Sequence, residues 1–260
     1  MNRATTRRVG AGRGPWSVGS VLITALLLVA CTGGPTDGNP DDATPSSSAS
    51  TAAPEATVEP LREARAGWKV FTDPARLVSF ELPEEWVVQP LQVGSGAYAP
   101  DSLHYAVRTQ EGTTTAEFHS GIITQEPPCA EGDRTPYYVI GSEPLELTGA
   151  GAATTGIEPR FVVRLITGFR FFGAYGVADQ VGGEDGLACS LPNTVQGGEA
   201  LGLFSFGDIE VLAPKAPADT GPGTVSFGTL GEAEAHYDTP EFETVRTMIL
   251  SLRIAPMPAG

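Results

Sequence analysis

Alternation of apolar and polar residues is the strongest signal along this chain, and most of it has the period of a strand. Val78, Phe80 and Leu82 alternate with Ser79 and Glu81, and Pro83 closes the run before Trp86-Val87-Val88. A period of two sends successive side chains to opposite faces, so such segments read as half-buried strands. Leu103, Tyr105 and Val107 repeat the pattern, as do Ala116, Phe118, Ser120 and Ile122. Tyr137 to Ile140, Leu201 to Phe206 and Val225 to Leu230 are further β-rich runs. Phe161 to Ile166, Thr167-Gly168 and Phe169 to Phe172 read as a tight hairpin. Pairing Ile166 with Phe169 sets Arg164 opposite Phe171 and Leu165 opposite Arg170. Large apolar groups then stand on both faces, which predicts a sheet covered on two sides.

One segment has helical spacing. Thr239 is a suitable N-cap, Pro240 fits the first helical position, and Glu241 and Glu243 lie in the first turn, where the helix dipole favours acids. Phe242, Val245, Ile249 and Leu252 follow as one apolar stripe with Met248 beside it. This helix is expected to pack on the sheet.

The first thirty residues follow another logic. They carry Arg3, Arg7, Arg8 and Arg13, no acid, and an apolar run ending at Ala30. A basic head before a short apolar stretch is the layout of an export signal. Its unbroken part, Val21 to Ala30, is shorter than the roughly 20 residues that a membrane-crossing helix needs. The Arg7-Arg8 pair reads as ordinary head charge. The end of the run, Leu28-Val29-Ala30-Cys31, resembles the lipobox of bacterial lipoproteins. That resemblance implies a diacylglyceryl thioether on Cys31, acylation with palmitate-like chains, and cleavage that leaves Cys31 first. The domain plan is then a lipoprotein signal at 1–30, a lipidated cysteine and disordered linker at 31–65, one extracytoplasmic domain at 66–256 and a tail at 257–260. The linker expectation rests on residues 32–60, which apart from Asn39 are Ser, Thr, Ala, Pro, Gly and acids, with Val58 the one sizeable apolar side chain. Such a composition buries too little surface to offset its ordering entropy.

The full chain has 260 residues and a net charge of −15. Loss of the signal leaves 12 basic residues against 31 acidic ones, a net charge of −19. A body so acidic is a poor nucleic-acid binder, which needs clustered Lys and Arg. It is also repelled by anionic lipid, so the expected attachment is through two acyl chains. The expected place is the extracytoplasmic face of the cell membrane. Cys129 and Cys189 remain as an even pair in an oxidising compartment and read as one disulfide closing residues 129–189.

Candidate chemistry is sparse. His104, His119 and His236 fall in no zinc spacing, and no nucleophile elbow or phosphate loop occurs. Glu117 and His119 share the polar face of a predicted strand, read as solvated, with a carboxylate–imidazole pair as the alternative. His104 reads as a partly covered strand residue. Gly182 to Gly186, near Asp179, is acidic but lacks the alternating ligand order of a calcium loop, so it reads as an ordinary acidic loop. Arg160 and Arg164 share a strand face, where salt bridges to acids are the simplest expectation. No catalytic residue, metal ligand or cofactor is assigned.

Trp68-Lys69-Val70-Phe71-Thr72-Asp73-Pro74, then Val78 to Pro83 and Trp86, resembles the opening of Mog1/PsbP-like domains. Ile249-Leu250-Ser251-Leu252-Arg253 is similar to their last helix. The resemblance covers about 35 of roughly 190 residues. It implies an α+β fold, mainly antiparallel sheet with a C-terminal helix packed on it, in an α/β/α sandwich; a β-rich sandwich or barrel is the alternative. Lipoproteins with this fold occur in actinobacteria, where the resemblance implies envelope or lipid partners. The leading functional expectation is a non-enzymatic, lipid-anchored domain binding an envelope protein, lipid or glycan. The alternative is a cell-wall or envelope hydrolase. A pocket combining His104 or His119 with a serine and a carboxylate points to the enzyme, and a broad apolar groove beside the sheet points to the binder.

Overall fold

Strand alternation is realised along most of the body. The computed structural model describes residues 64–94, 96–124, 128–147, 157–183, 185–215 and 225–255. The signal at 1–30, Cys31, the linker up to residue 63 and the tail lie outside them. The elements are β1 (Trp68–Thr72), β2 (Val78–Pro83), β3 (Val87–Pro90), β4 (His104–Arg108), β5 (Thr114–His119), β6 (Thr135–Pro144), β7 (Arg160–Thr167) and β8 (Phe171–Ala178). They continue with β9 (Leu187–Ala188), β10 (Leu191–Pro192), β11 (Val195–Gln196), β12 (Leu203–Gly207), β13 (Val211–Leu212), β14 (Ser226–Phe227), α1 (Leu230–Tyr237), α2 (Pro240–Leu250) and β15 (Arg253–Ile254).

One antiparallel sheet runs β3-β4-β5-β12-β8-β7-β6-β9, with β11 also on β12 and β14 also on β8. A smaller sheet, β1-β2-β15, and the pair β10-β13 complete the set. On one face of the large sheet, Phe118, Phe161, Val163, Phe204 and Phe206 pack against Val78, Phe80 and Leu82 of β2 and against Phe242, Val245, Met248 and Ile249 of α2. The Phe80 and Phe206 ring centroids are 4.8 Å apart. Each of these buried side chains contributes about 1.5–3 kcal/mol of transfer free energy. α1 covers the same face through Ala233, against Leu165 and Phe227. The opposite face carries Ile166, Phe172 and Ala174, covered by Leu191 of β10 and Leu212 of β13.

The expected α/β/α sandwich is therefore not the fold. Strand makes up 43% of the structure against 13% helix, so the domain is mainly β. Both described helices lie on one face of the sheet, and the second face is closed by short strands instead. The physical reason lies in the residues around β10 and β13: their apolar side chains fall in runs too short for a helix, yet Leu191 and Leu212 suffice to cover that face.

The hairpin of β7 and β8 is also shifted from expectation. Thr167 pairs with Phe171 and Ile166 with Phe172, so Arg164 faces Ala174 and Leu165 faces Gly173. The loop is Gly168-Phe169-Arg170, with Gly168 N donating to Arg170 O at 2.8 Å. A Cβ at Gly168 would stand 2.8 Å from the Phe172 ring and 3.0 Å from Lys215 O. A larger residue would therefore not fit at Gly168 without a shift, and Phe169 at the loop tip is half exposed. Both faces of the hairpin are nevertheless covered, as the alternation predicts. α2 forms with its expected cap, Thr239 Oγ1 accepting from Phe242 N at 3.2 Å. α1 was not foreseen; Thr229 caps it by accepting from Glu232 N at 3.1 Å. Cys129 and Cys189 form a disulfide with Cα atoms 5.9 Å apart.

Candidate functional site

β4 and β5 are joined through a turn at Thr109–Thr113, where Thr109 N donates to Thr113 O at 2.9 Å and Gly112 has φ +86°. That turn pairs Tyr105 with Phe118 and Ala106 with Glu117, and it sets His104 directly opposite His119. Tyr105 and Phe118 enter the core. By strand parity His104, Glu117 and His119 stand together on the other face.

There they form a continuous chain with Ser102. Ser102 Oγ lies 2.8 Å from His104 Nε2. His104 Nδ1 lies 2.9 Å from His119 Nδ1, and His119 Nε2 lies 3.2 Å from Glu117 Oε2. Tyr98 roofs the pair, edge-on to His104 at 4.4 Å and stacked on His119 at 5.4 Å. Its hydroxyl donates to Glu210 Oε1 at 2.6 Å, and burial followed by Glu210 raises its pKa. The loop bearing Tyr98 is fastened by Ala99 N donating to Gly121 O at 2.7 Å. Under this roof His119 is only 6% exposed while Glu117 stays part-exposed, so the expected solvated face instead carries a carboxylate–imidazole pair with its imidazole buried. His104 is part-buried, and its pKa is lowered by burial and then by neighbouring His119.

The hydrogen-bond arithmetic of this chain is restrictive. Two nitrogens at hydrogen-bond distance share one proton between them. With that proton on His104 Nδ1, His119 Nδ1 accepts it, His119 Nε2–H donates to Glu117, and the bare His104 Nε2 accepts from Ser102. Every group is then satisfied with both rings neutral. A serine held in this way is positioned as a nucleophile is. The Ser102 hydroxyl also reaches Ala99 O at 2.7 Å, a second acceptor for its single proton.

Asp208 marks the place where the sheet forks. β12 pairs with β5 only from Glu117 to His119 and meets β8 at Gly207 and Gly176. Past Gly207, β5 and β8 separate. Asp208 fills the fork: its N donates to Tyr175 O at 3.1 Å, and Tyr175 N donates to Asp208 Oδ1 at 2.9 Å. The Tyr175 hydroxyl spans the gap to Thr115 O. Burial raises the Asp208 pKa to about 7, against the opposing pull of backbone N–H groups from Tyr175, Asp208 and Ile209.

Two cavities meet at these residues. A groove of 960 Å³ lies between α2 and the fork, walled by Trp86, Ala116, Tyr175, Phe242 and Val245 with Thr113 to Thr115. A shallower cavity of 630 Å³ is lined by Leu91, Val93, Tyr98, His119, Ile209, Glu210 and Val211. Glu117 and Asp208 belong to both walls. Neither wall contains a lysine or arginine among its described residues, whereas Glu85, Glu111 and Glu241 add further acids to the groove.

The other candidates lie elsewhere or are spent on structure. His236 is exposed at the groove, its ring 4.9 Å from that of Tyr237. Among the described residues Arg164 has no salt-bridge partner, contrary to expectation. It is buried, and its Nη2 donates to Pro192 O and, at 2.6 Å, to Asn193 Oδ1. Burial lowers its pKa to about 10. Arg160 Nε donates to Ser142 Oγ at 2.7 Å. In the acidic loop, Asp185 pairs with Arg134, and Asp179 is buried with Oδ2 accepting from Gln196 N at 2.7 Å. Among the described residues, no group of three or more His, Cys, Asp or Glu is placed to hold a metal ion. Likewise, no helix among them is long and apolar enough to cross a membrane.

Tyr98, Ser102, Asp208 and Glu210 were not foreseen from sequence. Only the turn at Gly112 carried a usable signal, because a hairpin centred there places His104 opposite His119.

Fold and site together define an antiparallel β domain with a hydrogen-bonded imidazole pair, one ring buried, beside an acid-walled groove. No family model matches this chain, and neither a curated protein nor a solved structure matches it.

Proposed function

We propose that this chain is a lipid-anchored, extracytoplasmic binding domain whose ligand is a small molecule with an apolar body and a basic group. The apolar body lies in the groove between α2 and the fork of the sheet, and the basic group lies against Glu117 and Asp208. One observation carries the ligand class: the described walls of both cavities hold acids and no lysine or arginine. An anion entering there meets uncompensated negative charge, which costs several kcal/mol where water is excluded. An ammonium or amidinium group is attracted by the same charge. The groove's volume falls within the range of small-molecule sites. The basic head, apolar run and cysteine of residues 1–31 support attachment by lipid.

The test uses the mature chain in detergent micelles with two matched probes, phenethylamine and 3-phenylpropanoate. Saturation-transfer NMR should show the amine bound and the acid not bound, with bare micelles as the blank. Glu117→Gln and Asp208→Asn should each weaken the amine. Equal binding of both probes, or binding of neither, overturns the ligand class.

A second reading is favoured by the 2.8 Å contact of Ser102 Oγ with His104 Nε2: an envelope hydrolase with Ser102 as nucleophile. It stands second because Ser102 lines neither cavity. Covalent labelling of Ser102 by a fluorophosphonate, lost in His104→Gln, would place it first.

A further inference from the structure

We infer that the His104–His119 pair is a proton-operated latch on the Glu117 end of the ligand site, so that the basic ligand is held at neutral pH and released on acidification. This rests on the binding reading above and adds the regulation of that site.

The geometry leaves few ways to add protons. In the neutral arrangement His119 Nε2–H donates to Glu117, whose second oxygen remains for a ligand. A first added proton makes one imidazolium, and it settles on His119, which can donate to both His104 and Glu117. The proton on His104 then moves to Nε2 and points at Ser102 Oγ, and Ser102 turns its own hydrogen to Ala99 O, 2.7 Å away. One proton thus reverses the whole chain without moving a heavy atom, and it cancels the Glu117 charge that a basic ligand needs. A second proton has no place. Both Nδ1 atoms would carry hydrogen across a 2.9 Å contact between two like charges. The rings must part, and Tyr98, in ring contact with both, moves with them.

The groups facing the pair act in the same direction or are neutral. Glu117 faces it from β5, Ser205 lies beside His119 from β12, and Tyr98 with Glu210 closes it from the loops. Asp208 shares the cavity wall and takes up a proton near neutrality, which also removes negative charge from the site. The lowered pKa of His104 agrees with a second proton that is hard to add.

The latch is tested first without ligand, on the mature chain in micelles with ¹⁵N-labelled histidine, His236 being assigned by His236→Gln. At pH 8 His104 should be the Nδ1–H tautomer and His119 the Nε2–H tautomer. Acidification should give two macroscopic steps separated by more than about one pH unit, with the Tyr98 resonance shifting on the second. His104→Gln should abolish the second step. Two Nε2–H tautomers at pH 8, or one common midpoint for both rings, overturn the latch whether or not any ligand binds. The second arm follows phenethylamine affinity from pH 8 to pH 5 in the wild type and in Asp208→Asn, the variant separating the Asp208 contribution from that of the histidines. A fall of about tenfold, within the usual range of coupling between sites, is expected. An affinity independent of pH while the two steps are present overturns the coupling. No binding by the wild type at any pH condemns the binding reading and, with it, the proposed regulation.

Discussion

His104 Nδ1 stands 2.9 Å from His119 Nδ1, across a strand pair that otherwise carries Tyr105 and Phe118 into the core. Burial and the adjacent ring hold the His104 pKa below the ordinary imidazole value, so the unfolded chain binds the proton more readily than the folded one. Stability should therefore fall as pH drops through the ordinary imidazole range near 6.5, and level off below the folded pKa. Urea melts of wild type and His104→Gln at pH 8 and pH 5 check this. The variant should lose less stability on acidification than wild type does.

Asp208 has the opposite sign. Its folded pKa is raised from 3.8 to about 7 by burial, so between these values the folded state holds the proton and the unfolded state does not. This group should make stability fall as pH rises from about 4 to about 7. Asp208→Asn keeps an oxygen to accept from Tyr175 N and removes the charge. Above pH 7 it should stabilise on the order of 1 kcal/mol, after allowance for partial exposure, and its melting temperature should be flatter between pH 4 and 7. A variant less stable than wild type at pH 8 contradicts this account.

The Cys129–Cys189 bridge closes a separation of 60 residues. On the chain-entropy estimate it contributes roughly 4 kcal/mol. Replacing both cysteines by alanine should lower the denaturation midpoint accordingly, and reduction of the wild type should reproduce the loss. An unchanged midpoint would mean that the unfolded chain gains no freedom from the missing bridge.

Gly121 is held at φ +63°, and a Cβ there would stand 3.0 Å from Ser102 Cβ and 3.1 Å from Ala99 Cβ. Gly121→Ala therefore meets both backbone strain and a clash beneath the Tyr98 roof. It should cost about 1–3 kcal/mol and disturb the His104 and His119 imidazole signals. The equivalent change at Gly112, which is also at positive φ but has open space around it, should leave those signals in place.

Attachment by lipid makes a separate prediction. Cys31→Ala should shift the chain from the membrane to the soluble fraction of lysed cells. Equal membrane retention of the variant would remove the anchor on which the proposed location depends.

Much of this molecule is legible in local pattern. Alternation at Val78–Leu82, at Tyr105 and Val107, and at Ala116 and Phe118 decides which side chains face the core, because strand parity is a property of neighbouring residues. The cap at Thr239 and the stripe of α2 are equally local. The disulfide follows from an even number of cysteines once Cys31 is set apart. What local pattern does not contain is which strand lies beside which and what covers each face. Those choices are settled by burial between residues far apart in sequence: β12 seated between β5 and β8, and short strands rather than helices over Ile166 and Phe172. The site depends on the same long-range terms. His104 and Glu117 sit on predicted strands, but only the assembled sheet lowers Tyr98 onto the two imidazoles and lodges Asp208 where β5 and β8 part, and without those contacts the same residues would be separate and open to water.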